Sequence, residues 1–215
     1  MPGPTTYTSQ PQQQQQQQGR HMLSHVNMQL DTYLANSDLE DLRAIVRSLL
    51  ATGPTGTTSC FTSIARTRVQ HSTPRKLPSP SSLFTTASPD SSFAVPTKAL
   101  YDTLARARAL FGVGLGFESL PILTSIINRI LPLQWEIDSE MEDALIVLDA
   151  DLAQAIQSCR EQLASGSDLV KDMEGARTAV KALRDAMDNC QEVVESWGGE
   201  FPLEKGMMSI EGWKF

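Results

Sequence analysis

Apolar positions in the C-terminal half of the chain fall on two unbroken helical stripes. Met141, Leu145, Leu148, Leu152, Ile156, Cys159 and Leu163 form the first stripe. Leu169, Met173, Ala176, Val180, Leu183, Met187, Cys190, Val194 and Trp197 form the second, and all spacings are three or four. Ser139 and Glu142 make a capping box for the first helix, and "SGSD" turns the chain between the two. At 1.5 Å per residue the second helix spans about 40 Å. The pair predicts a long antiparallel helix hairpin, the nucleus of a bundle.

Weaker patterns of the same period precede it. "SDLE" reads as a capping box of Ser37 and Glu40, with Leu39, Leu42, Val46 and Leu49 on one face and "TGPTG" as the stop. A helix over 57–70 places Phe61, Ile64 and Ala65 inward and Arg66 and Arg68 outward. After Pro96 and Thr97 a helix carries Leu100, Leu104, Ala107 and Phe111. A short helix led by Pro121 then turns Ile122, Ile126, Ile127 and Ile130 inward. No strand signal competes, so the predicted fold class is all-α, a helical bundle.

Composition divides the chain further. Residues 1–20 are almost wholly polar and include the glutamine tract Gln12–Gln18, which reads as a disordered tail. Residues 70–96 are rich in Ser, Thr and Pro and read as a disordered basic linker. The helices of 21–69 and 97–215 are expected to form one domain. The start lacks a charged n-region and an apolar h-region, and "LPILTSIINRILPL" is too short to span a bilayer. Three scattered cysteines suit a reducing compartment, so the expected location is intracellular, cytoplasmic or nuclear.

Charge is segregated within the net −7. Arg43 to Pro89 holds six basic residues and no acid, whereas Trp135 to Asp151 holds seven acids and no base. This pattern suggests a basic arm and an acidic helix face.

Candidate chemistry is sparse. "LFGVGLGFESL" places glycines at 112, 114 and 116, but G-x-G-x-G after a helix is not a dinucleotide fingerprint, and no Lys-Ser/Thr pair follows as in a phosphate loop. The glycines read instead as a left-handed helix cap that allows close backbone packing. His21 and His25 adjoin the glutamine tract, and the acidic segment lacks a calcium-loop pattern, so no metal or cofactor is expected. No nucleophile motif supports catalysis. Arg66, Arg68, Arg75 and Lys76 are too thinly spaced for direct nucleic-acid binding and read as a two-part nuclear-import signal. Thr73, Ser79 and Ser88 each precede proline and are phosphorylation candidates beside it. In the tail "WGGEFPLEKGMMSIEGWKF", Trp213 and Phe215 are either part of a strap over the bundle or anchors that dock a partner.

The stretches "SDLEDLRAIVRSLLAT", "LARARALFGVGLGFESL" and "SWGGEFPLE" resemble an uncharacterised helical protein family of filamentous fungi, associated with subtelomeric gene clusters and colony or biofilm morphology. The resemblance covers most of 37–215 and implies a regulatory or morphological role, in the nucleus, with no catalytic residues to carry over. The residues and the resemblance together lead to an expected regulatory protein that binds protein partners and no membrane. The alternative is a helical-bundle enzyme or small-ligand binder with a pocket near Gly112–Gly116 and the carboxylates of 136–151.

Overall fold

The computed structural model describes residues 29–72, 79–86, 92–166, 170 and 172–215. Thr73, Arg75, Lys76, Ser88, the glutamine tract and both N-terminal histidines lie outside the described residues. The chain divides into two compact units, Met1–Thr58 and Ser59–Phe215. The units part in the first turn of a helix rather than in the proline-rich stretch.

In the first unit, a helical stretch α1 over 29–36 precedes α2 (Leu39–Thr52). The cap of α2 lies one residue later than the sequence pattern suggested. Asp38 accepts from the amide of Asp41 at 2.8 Å, because the Ser37 hydroxyl instead donates to the carbonyl of Tyr33. A carboxylate is the better acceptor beside the positive end of a helix. Leu42, Val46 and Leu50 are half-buried, whereas Leu39 and Leu49 of the expected apolar face are exposed. Gly56, at φ 95°, ends the turn, and α3 (Thr57–His71) begins.

The second unit continues along α3 and is overwhelmingly helical, with α4 (Lys98–Gly112), α5 (Gly116–Ile130), α6 (Glu140–Ala164), α7 (Met173–Ser196) and α8 (Glu204–Glu211). The bundle expectation holds, and the long stripes of α6 and α7 are its core. From Met141 to Cys159 and from Ala176 to Val194 every stripe residue is buried. Ser139 caps α6 as its spacing indicated, accepting from Glu142 N at 3.3 Å. Asp172 caps α7 through Gly175 N, so that helix starts at Met173; Leu169 lies outside the described residues.

Two features of the arrangement were not visible in the pattern. The backbones of α6 and α7 hardly approach each other; α5 packs on both, and α8 lies mainly on α6. A β-carbon added to Gly206 of α8 would come within 3.0 Å of both Leu152 of α6 and Met187 of α7, so α8 fills space between them. In addition, the proline-rich stretch contributes structure. A 3-10 turn (Pro80–Ser82) leads to β1 (Phe84–Thr86), which pairs antiparallel with β2 (Ala94–Pro96). Leu83 and Ala94 enter the core, and Thr97 caps α4 while donating to the carbonyls of Ser82 and Leu83. Two buried side chains are enough to fix these short segments to the bundle, against the expectation of an unstructured linker and of a fold without any sheet.

Helix α5 begins at Gly116, five residues before Pro121, which sits inside the helix and is exposed. Its start is set by the glycine stretch. Gly114 adopts φ 75°, the left-handed conformation that reverses the chain after α4. At Gly116 a β-carbon would lie 2.5 Å from the backbone nitrogen of Cys159. Gly116→Ala is therefore expected to destabilise the second unit by about 2–3 kcal/mol, since rigid backbone must shift. Gly112→Ala enters open space at the end of a helix, and its effect ranges from neutral to a gain of up to about 1 kcal/mol. Urea titrations followed by tryptophan emission check this, because all three tryptophans lie in this unit; equal midpoints for the two variants would contradict it.

Cys159 and Cys190 are buried, and burial pushes their thiols up to about 12 and about 11 respectively, Glu118 adding to the first. Above pH 9 the unfolded thiols ionise while the folded ones stay protonated, so the unfolded state holds fewer protons and stability falls as pH rises from 9 towards 11 to 12. At neutral pH a thiol reagent should modify exposed Cys60 quickly and the other two only on unfolding. Rapid modification of all three would refute the packing.

Candidate interaction groove

The sequence-derived site residues do not converge. Arg66, expected to point outward, is half-buried and donates from Nε to the carbonyl of Val113 at 3.0 Å, and its guanidinium lies against Gly114. Phe61 and Ile64, expected inward, are exposed. The helix α3 is thus rolled about its axis, held by Arg66 and by Arg106, which donates to the carbonyl of Val69 and to Ser72. Arg68 is exposed. Ser79 is exposed and shares a hydrogen bond of 2.7 Å with Ser81.

Trp213 and Phe215 form a strap. Trp213 is buried and stacks on Phe215 at 4.9 Å, and Phe117 of α5 packs on both rings. Arg160 lies 5.9 Å over the Trp213 ring, and Arg184 donates to the carbonyls of Ile210 and Trp213. Neither aromatic ring is presented as a docking anchor. The alternative pocket at the glycines is likewise closed at Gly114 and Gly116, by Arg66 and Cys159.

The acidic face survives in part. Asp149 and Asp151 are buried. Asp151 pairs with Arg108 at 2.8 Å, and Asp149 accepts from the amides of Lys205 and Gly206 at 3.3 and 2.8 Å, capping α8 in place of a local side chain. The remaining acids stay at or near the surface, and one of them, Glu142, borders a cleft of about 1200 Å³ between the start of α6, the end of α7 and α8.

Local geometry builds this cleft. Asp138 takes φ 58°, a left-handed conformation tolerated by Asp, and its amide donates to Glu142. That turn leaves Ile137 81 % exposed at the cleft edge. Trp135 and Trp197 meet edge to face at 5.2 Å, closing one end. Gly198, at φ 80°, ends α7 and releases the chain towards Phe201 and α8, which presents Met208 at 64 % exposure opposite Ile146 at 54 %. Sequence reasoning missed this site because its residues come from three separated segments. The isolated apolar residues Ile137, Ile146 and Met208, off the core stripes, were the available signal.

No group of three or more His, Cys, Asp or Glu placed to hold a metal ion occurs among the described residues, nor is any helix there long and apolar enough to cross a membrane. No protein-family model, curated protein or solved structure matches the chain. The fungal resemblance therefore rests on the quoted stretches alone.

The long-range cap gives a testable contrast. Asp149→Ala strands two amides at the start of α8 and should cost about 2–3 kcal/mol, with faster hydrogen exchange in α8. Asp151→Ala leaves Arg108 able to reach water and should cost about 1 kcal/mol or less. The reverse order would show that α8 is held by its side chains rather than by the carboxylate.

Proposed function

We propose that the chain is a non-enzymatic interaction protein whose second unit presents the groove between α6 and α8 to a protein partner. The observation that carries this reading is the exposure of Ile137, Ile146 and Met208 around one cleft of the bundle. Contiguous apolar surface left uncovered on a folded domain marks interaction sites, and methionine adapts to partners of different shape. The buried charges that an active site would draw on are already engaged: Asp149 holds α8 and Asp151 holds Arg108.

Regulation of colony morphology, which the resemblance implies, is the setting we propose for this activity. Arg68, Arg75 and Lys76 would serve as the import signal, with phosphorylation at Thr73, Ser79 or Ser88 opposing it by adding negative charge. Arg66 leaves that set, because its guanidinium serves the end of α4.

Affinity purification of the full chain from its native host tests the reading. A partner retained by wild type should be lost, by about tenfold or more, with Ile137→Asp and Met208→Asp. Both side chains are largely exposed, so circular dichroism should be unchanged. Retention of the same proteins by both variants would overturn it.

A further inference from the structure

We infer that the groove takes a cationic amphipathic helix from the partner, an inference that rests on the interaction reading above. The groove is lined by acids and by apolar side chains. Glu142, Glu195, Glu200, Glu204 and Glu211 stand along it, and Lys205 is the single base among its lining residues. Asp149 also lines it but is held by the α8 amides. The apolar part is supplied by Trp197, Phe201 and Met207 together with the exposed Ile137, Ile146 and Met208.

Charge selects the class of partner. A lining rich in carboxylates repels phosphate, which removes nucleic acids and anionic bilayers, and it attracts Lys and Arg flanking an apolar anchor. Backbone geometry selects the conformation. The walls come from α6, α7 and α8 together with the turns and loop at 135–137 and 197–202; no lining residue belongs to a strand, so an extended peptide would find no sheet edge to pair with. A helix satisfies its own backbone and lays apolar residues at i, i+3, i+4 and i+7 against the apolar lining. The volume, about 1200 Å³, exceeds the usual range for small-molecule pockets of roughly 300–1,000 Å³.

The probes are three labelled synthetic peptides titrated into the full-length chain. One carries leucine and lysine at helical spacing, one replaces lysine by glutamate, and one scrambles the leucine–lysine order so that no apolar face forms. The first should bind, and high salt should weaken it about tenfold. The second should not bind, and the third should be at least about tenfold weaker. The double variant Glu204→Lys/Glu211→Lys should cost about tenfold, and Met208→Asp at least as much. A urea titration confirms that each variant is folded.

Equal binding of the glutamate or scrambled peptide, or unchanged affinity in both variants, would overturn the inference. So would concentration-dependent self-association that Ile137→Asp abolishes, since the groove would then hold a second copy. If the native partner is lost with Met208→Asp while the cationic peptide fails to bind, this inference falls and the interaction reading stands. If neither responds, both fall.

Discussion

Where the first residue of α5 meets α6 there is no room for a β-carbon. The closeness of that approach, 2.5 Å from an added Cβ to Cys159 N, governs much of the second unit. Helix α5 packs on α4, α6 and α7, and places Leu120, Leu123, Ile126, Ile127 and Ile130 at the centre. Each such side chain contributes about 1.5–3 kcal/mol when fully removed from water. A side chain at Gly116 would hold this helix away from α6 and loosen the contacts that depend on it. The glycine series that resembles a phosphate loop thus serves packing: one residue reverses the chain and another lets two backbones touch.

Helical period made α6 and α7 legible, because their stripes run for many turns without a contradictory residue. The Ser139 cap and the left-handed Gly114 were legible for a related reason, since each is decided by neighbours in sequence. What could not be read depends on partners distant in sequence. The roll of α3 is set by Arg66 reaching Val113 and Arg106 reaching Val69, and nothing in the pattern of 57–71 indicates either. Similarly, Asp149 and Asp151 flank core positions in a run of acids and look no different from Glu140 or Asp143. The short strands were hidden by composition: serine and threonine mask the buried Leu83 and Ala94 that anchor them.

A common use of arginine runs through the second unit. Arg66 donates to the residue that caps the end of α4, Arg106 to the last turn of α3, and Arg160 and Arg184 to the last turn of α8. In each case a delocalised cation lies at the negative end of a helix. Of the basic side chains expected to form an arm, Arg66 is used in this way. Acids show the complementary use in Asp149, which serves the amides at the other end of α8. Glu195, Glu200, Glu204 and Glu211 lie instead along the groove.

Helix α8 leaves the ribosome after α6 and α7, yet Gly206 sits between Leu152 and Met187 of those two helices. Until it emerges, the long helices can be held together only from the side that α5 covers. The other side of their apolar stripes waits uncovered, and Asp149 waits without the amides it will cap. Closure of the domain is therefore delayed until nearly the whole unit has been synthesised. During that interval the nascent chain exposes a surface suited to chaperones, one that the finished protein no longer displays.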